Sequence, residues 1–239
     1  MHVNSLTNIG LVRKANEDKY LADKNRGLFI VADGMGGHEA GEIASNLAIK
    51  TLDSYLTNEV IVNEKGKSLW KAIRKANELI YQKAKLNNNC TGMGTTITAA
   101  LFLDNILYIA HIGDSRAYLI RDNSIILLTK DHSLVGELLR QGELTESEAS
   151  RHPHRNILTR ALGTEPEVEI DLSEIDTKPG DLLLLCTDGL YNLVKDEEIL
   201  QEVLNNGNDL KISVNKLVKT ALDRGGMDNI TVVLVSYDG

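Results

Sequence analysis

The spacing of apolar positions changes period several times along the chain, and each change predicts an element. Residues 28–32 (LFIVA) make a short apolar run that stops at Asp33-Gly34. A run this short, bounded by a turn dipeptide, reads as a buried strand entering a loop. From about 39 to 56, Ile43, Leu47, Ala48, Leu52 and Tyr55 recur at helical spacing, and an amphipathic helix is expected. A second helix is expected over 67–86, with Leu69, Trp70, Ile73, Ala76, Ile80 and Ala84 on one side. Strand-like runs follow at 95–103, 106–112, 116–121 and 124–128, separated by Asp104-Asn105, Gly113-Asp114 and Asp122-Asn123. Links this short suit hairpins and forbid parallel crossovers, which predicts an antiparallel meander. Residues 133–160 are polar, with short helical pieces at 135–140 and 146–150, and read as a surface flap. Strands are expected again at 168–172 and 181–186, helices at 196–204 and 210–223, and a last strand at 230–237.

Strands in runs and helices in pairs point to an α+β protein and away from alternating βαβ units. The strands suffice for two stacked sheets with helices on the outer faces. No Gly/Ser-rich or Pro-rich tract interrupts the chain, so residues 1–239 are expected to form one domain. The formal charge of −8 argues against a nucleic-acid partner, which would need a basic surface. It leaves room for an acidic site whose charge is offset by bound cations. Cys90 and Cys186 sit in no zinc or disulfide pattern, which suits a reducing compartment. The first residues carry no basic-then-apolar leader, and the apolar runs are too short to span a membrane, so the expected location is cytoplasmic.

The positions of the acids carry the chemistry. Asp18 follows Asn16-Glu17, Asp33 ends the LFIVA strand, and Asp114 ends the strand before it. Asp188 follows LLLLC-Thr187, and Asp228 precedes the terminal strand. Four of the five stand beside Gly or Asn, where a backbone turns sharply and a ligand can come close. Each of these dipeptides is also an ordinary turn signal. Together at strand ends, they would repel one another unless cations sat between them, and oxygen ligands of this kind select Mg²⁺ or Mn²⁺.

Other local patterns carry less. Gly34-Met35-Gly36-Gly37 lacks the Gly-Lys-Ser/Thr of a P-loop and the third glycine of a dinucleotide fingerprint. Ser115 with Asp131-His132 could suggest a serine hydrolase, but Ala117 stands where a nucleophile elbow wants glycine. Asp131-His132-Ser133 reads either as a loop bracing its surroundings or as a capped turn before a helix. Cys186 lies inside an apolar strand, where a thiol is usually inert.

The chain resembles the metal-dependent protein phosphatase family (PPM, or protein phosphatase type 2C), and more closely its compact bacterial members. The residues that carry the likeness run through the whole chain: Gly10-Leu11-Val12-Arg13 with Asn16-Glu17-Asp18, Val31-Ala32-Asp33-Gly34-Met35-Gly36-Gly37-His38, and Gly41-Glu42. Gly94-Thr95-Thr96, Gly113-Asp114-Ser115-Arg116, Asp131-His132-Ser133 and Leu158-Thr159-Arg160-Ala161-Leu162-Gly163 continue it. Thr187-Asp188-Gly189-Leu190 and Asp228-Asn229-Ile230-Thr231 close it.

The resemblance implies a sandwich of two antiparallel sheets flanked by helix pairs, with two Mn²⁺ or Mg²⁺ ions at one end. By similarity, Asp33 would bridge both ions, the carbonyl of Gly34 would bind one, and Asp188 and Asp228 would hold the second. Asp18, with Glu17 beside it, would act in the same shell, and Asp114 with Asp188 would suit a third ion. Residues 139–156 would be the flap. The implied activity is hydrolysis of phosphoserine and phosphothreonine in proteins by a metal-bridging hydroxide, without a covalent intermediate. Arg13 would grip the phosphate, since its planar fork matches two phosphate oxygens. Met35 occupies the place where many eukaryotic relatives carry a histidine. His38 is then either a general acid or a cap of the helix that follows, and the leaving-group acid is unassigned. The implied partners are phosphoproteins and a serine/threonine kinase that phosphorylates them, for a monomeric enzyme. A catalytically dead phosphoprotein binder and a hydrolase of small phosphoesters are the competing readings, the second disfavoured by an aromatic content of only 4%.

Overall fold

A computed structural model describes residues 1–36, 40–149, 151–207 and 209–239. Two five-stranded sheets stack face to face. The first contains β1 (His2–Asn8), β8 (Arg116–Arg121), β9 (Ser124–Leu127), β11 (Leu182–Cys186) and β12 (Ile230–Ser236), in the order β1-β12-β11-β8-β9. The second contains β2 (Lys19–Asp23), β3 (Leu28–Ala32), β6 (Ile97–Leu103), β7 (Ile106–Ile112) and β10 (Asp171–Asp176), in the order β10-β7-β6-β3-β2. Every pairing is antiparallel.

The central strands are buried on both faces, which is why they read as continuous apolar runs and not as alternations. In β3, Phe29 and Val31 point between the sheets, where they meet Ala100, Phe102, Leu107 and Ile109 of their own sheet and Leu183, Leu185, Val233 and Val235 of the other. Leu28, Ile30 and Ala32 point outward under helices α1 (Ala40–Tyr55) and α3 (Gly66–Leu86), against Ala44, Leu52, Leu69, Ile73 and Ile80. On the opposite outer face, Leu184, Cys186, Val232 and Leu234 lie under α7 (Asp196–Asn205) and α8 (Leu210–Asp223), packed on Ile199, Val214 and Leu217. The result is a four-layer αββα sandwich, as the pattern of runs and paired helices predicted.

The meander does not survive as drawn. β6 and β7 form one hairpin and β8 and β9 another, but β7 and β8 belong to different sheets. Asp104-Asn105 and Asp122-Asn123 both take positive φ at their two central residues, the turn geometry that matches hairpin twist. Gly113-Asp114-Ser115 is instead a corner between sheets. Gly113 has φ +104°, and a Cβ there would stand 2.6 Å from Thr96. The expected strand at 168–172 also shifts: Val168 and Ile170 pack on the helical core, while ladder pairing with β7 begins only at Asp171. The run from 95 is broken at Thr96, so that β4 (Gly34–Met35) pairs with β5 (Gly94–Thr95) apart from the main sheets. Two helices had no clear periodic signal, α2 (Asn58–Glu64) and α6 (Asp188–Tyr191), both too short to show a stripe. The polar segment carries α4 (Leu134–Gln141), capped by the Ser133 hydroxyl, and α5 (Glu146–Ala149).

Leu185 is completely buried between the sheets, whereas Leu172 on the edge strand β10 is half exposed. Leu185→Ala should destabilise the protein by about 2–5 kcal/mol in urea unfolding, and Leu172→Ala by no more than about 0.5 kcal/mol.

Candidate active site

Antiparallel pairing gathers the acids at one end of the sandwich. The end of β3 lies beside the start of β2, since Lys19 pairs with Ala32; the end of β11 lies beside the start of β12, since Cys186 pairs with Val232. The end of β7 lies across from the start of β6, where Ile97 pairs with Ile112. Asp33, Asp114, Asp188 and Asp228 therefore leave their strands around one cleft of about 490 Å³. Arg13, Lys14, Glu17, Gly34, Met35, Thr96, Asn156 and Leu158 are also in its walls.

The local backbone is fitted to this convergence. Gly34 admits no side chain, because a Cβ would stand 2.1 Å from the carbonyl oxygen of Gly41. Gly41 in turn leaves space for the carboxyl of Glu17, which a Cβ would meet at 2.8 Å. Thr96 accepts the Asp33 backbone N–H on its hydroxyl and donates its own N–H to the Asp33 carbonyl, at 2.9 and 2.8 Å. Asn229 ties the N-terminal loop to the site: its side chain donates to the carbonyls of Ile9 and Ala15 and accepts from the Glu17 N–H.

Asp18 is placed differently from the other four. It is buried outside the cleft walls, and its Oδ2 accepts from the hydroxyls of Thr187 at 2.8 Å and Thr231 at 2.6 Å. Among the described residues its Oδ1 has no partner, and neither does Oδ1 of Asp188, whose Oδ2 accepts from Asn192 at 3.1 Å. Buried carboxylate oxygens without a donor are costly, so two of them at one site call for a cation or water. Among the described residues, no three His, Cys, Asp or Glu side chains close into one tight cage.

Burial, and then mutual repulsion, governs their titration. Asp33 and Asp188 are pushed well above the ordinary carboxylate value, by desolvation and by the neighbouring aspartates. Asp18 is raised to about 7 by burial, against the pull of its two threonine donors, and Asp114 to about 7 by burial and Asp131. Burial raises Glu17 as well. Arg13 is the counterweight: its Nη2 donates to Asp228 Oδ2 at 2.6 Å, and its guanidinium is half exposed at the cleft mouth.

The corner that carries Asp114 is clamped by a residue whose role sequence reasoning left open between a brace and a capped turn. His132 donates its backbone N–H to the Gly113 carbonyl at 2.7 Å and accepts the Gly113 N–H on its ring Nδ1 at 3.1 Å. Nδ1 must then be unprotonated, which leaves the proton on Nε2, facing Asp171 at 3.3 Å. Burial lowers its pKa and favours that neutral form. The neighbouring Ser133 caps α4, so both readings of the triplet hold at once. Arg116 pairs with both oxygens of Asp131, and Tyr191 donates to the Asp114 carbonyl at 3.0 Å. These contacts remove the serine-hydrolase reading: Ser115 is buried on Thr96, and His132 and Asp131 have other partners. Cys186 is fully buried with its thiol pKa raised, consistent with inertness. His38 lies outside the described residues. Thr96, Thr187, Asn229 and Thr231 stood inside recognised motifs without an assigned task; their signal was adjacency to the aspartates.

Comparison with known proteins agrees with this architecture. The Protein phosphatase 2C family profile matches residues 13–225. The serine/threonine phosphatase stp of Listeria monocytogenes is 40% identical over 244 residues, covering 100% of this chain and 96% of that protein. The structure of the Mycobacterium tuberculosis serine/threonine phosphatase PstP/Ppp superimposes with a TM-score of 0.92 at 39% identity, covering 100% of this chain and 99% of that one. The catalytic domain of a PstP in complex with two manganese ions superimposes at 0.88 with 37% identity, covering 100% and 98%.

The raised carboxyl pKa values have a consequence for stability without metal. Asp18 binds its proton up to about pH 7 when folded but only to about 3.8 when unfolded, so the folded state holds more protons across that window. Stability of the metal-free protein should therefore fall as pH rises from 4 to 7. In EDTA, the melting temperature at pH 8 should lie on the order of 5 °C below that at pH 6. Mn²⁺ should reverse the order, raising the melting temperature more at pH 8, as scanning calorimetry would read.

Proposed function

The chain belongs to the protein phosphatase 2C family, and from that premise we propose that it is a metal-dependent phosphatase that hydrolyses phosphoserine and phosphothreonine in proteins. The observation that carries the reading is the cleft itself: four aspartates in its walls, unpartnered buried oxygens on Asp18 and Asp188, and one arginine at its mouth. Two Mn²⁺ or Mg²⁺ ions fit this donor set, which is all oxygen and in excess of negative charge.

Asp33, the Gly34 carbonyl, Asp188 and Asp228 would hold the two ions, with Asp114 available to a third. Asp18, behind the wall, would act through its unpartnered Oδ1 and keep its Oδ2 on the two threonines. When bound, the ions supply Lewis acidity, making a water nucleophilic near neutral pH and drawing charge from the phosphoryl oxygens. The remaining tasks fall to the protein. Arg13 is tethered to Asp228 through Nη2, and the rest of its fork faces the cleft mouth to take phosphate oxygens. Thr96 and the Gly34–Gly41 contact fix the Asp33 turn, and His132 and Tyr191 fix Asp114, so the carboxylates are in place before substrate arrives.

The substrates are phosphoproteins, and a serine/threonine kinase acting on the same proteins is the natural counterpart. We assign residues 1–239 to one catalytic domain whose flap, 139–156, borders the cleft through Asn156. A monomer in a reducing cytoplasm suits the two free, buried cysteines, and among the described residues no helix is long and apolar enough to cross a membrane.

Purified protein should release phosphate from a phosphothreonine peptide with Mn²⁺ and not with EDTA, and Asp33→Ala should abolish turnover. Arg13→Ala should lower kcat/KM by roughly 10- to 100-fold, the weight of one or two hydrogen bonds to a charged group. Turnover in EDTA, or full activity in Asp33→Ala, would overturn the assignment.

A further inference from the structure

Several large exposed apolar side chains adjoin residues of the cleft wall. Ile9, Leu11, Val12 and Met227 are 39%, 68%, 57% and 60% exposed, and Leu11 and Val12 immediately precede Arg13 while Met227 immediately precedes Asp228. Ile157, 48% exposed, stands in the chain between the wall residues Asn156 and Leu158.

The first group forms a fixed ledge. The Leu11 N–H donates to the Gly226 carbonyl at 2.7 Å, and the Asn229 side chain holds the Ile9 carbonyl at 2.9 Å. Gly10, at φ +79°, lies so close to the Asp228 carbonyl that a Cβ would stand 2.2 Å from it. The Leu11 side chain lies over Gly226, where a Cβ would meet its Cγ at 3.0 Å. The 9–12 loop is thus stitched onto residues 226–229, and the apolar ledge is continuous with the Arg13–Asp228 pair at the cleft mouth.

Exposed apolar surface grouped beside a polar site marks a place where something binds. Any polypeptide that presents a phosphorylated side chain to Arg13 must lay its neighbouring residues over the rim. An extended segment advances about 3.3 Å per residue, so positions one to three away from the phosphorylated residue come within reach of the ledge. We propose that Leu11, Val12 and Met227 form a docking ledge that selects phosphoprotein segments with an apolar residue within three positions of the phosphothreonine. This inference rests on the phosphatase reading above and adds a substrate preference to it.

The test uses the Mn²⁺-loaded protein, a panel of phosphothreonine peptides with Leu or Ser at each position from three before to three after the phosphorylated residue, and p-nitrophenyl phosphate. Wild type should prefer Leu at one or more positions by roughly fivefold to tenfold in kcat/KM, expressed in KM, as expected for partial burial of one aliphatic side chain. The triple variant Leu11→Ser, Val12→Ser, Met227→Ser should lose that preference while keeping p-nitrophenyl phosphate turnover, which also reports that it is folded. A flat panel in wild type, or a preference that survives in the variant, overturns the ledge. A ledge-dependent dimer in sedimentation that loses peptide activity as it forms overturns it too, in favour of a second copy of this chain. Failure of wild type to hydrolyse even p-nitrophenyl phosphate would strike the phosphatase reading instead.

Discussion

Carboxylates of like charge, gathered around one cleft and partly or wholly withdrawn from water, are the constraint around which this molecule is arranged. Each of Asp33, Asp188, Asp18 and Asp114 is held above its ordinary pKa, first by burial. A chain left to its own electrostatics would spread such groups apart. Here they are brought together by two sheets whose inner faces are filled by Phe29, Leu185, Val233 and their neighbours, and whose outer faces are covered by helices. The apolar layers supply the stability that the acidic end consumes, and cations of suitable hardness relieve the repulsion that remains.

That division explains what was legible in the sequence. α1, α3 and α8 are long and amphipathic, so the helical period repeats several times, and their ends were readable to within one or two residues. Strands such as β3 and β11 are apolar on both faces, so composition and abrupt Asp-Gly ends identified them without alternation. What failed depended on partners distant in sequence. The corner at Gly113 looks like a hairpin turn because three residues can serve either; the choice is made by His132, nineteen residues later, and by packing on Thr96. The edge strand β10 begins at Asp171 and not earlier, because Val168 and Ile170 are drawn into the helical core instead of the ladder.

The site was legible in the same uneven way. Each acid beside glycine or asparagine is by itself an ordinary turn signal, and it was their recurrence at several strand ends that pointed to a cation site. The family resemblance then supplied roles that spacing alone left open. Asp18 shows the limit: its motif places it with the others, but only the fold reveals that threonine hydroxyls from two other segments hold one oxygen and that the second has no donor among the described residues. Thr187, Thr231 and Asn229 have no chemistry to advertise, and their contribution is visible only once β1, β11 and β12 lie side by side.

Rigidity at the acidic end and exposure at its rim follow from one arrangement. Asn229 serves both: it accepts from the Glu17 N–H beneath the cleft and donates to the Ile9 carbonyl at the base of the rim loop. The bonds that hold the carboxylate turns therefore also hold Leu11 and Val12 outward beside Arg13. An apolar ledge positioned this way cannot retreat into the core without releasing the backbone that places the acids. Its exposure is then a standing feature of the cleft's rim, beside Arg13 and Asp228.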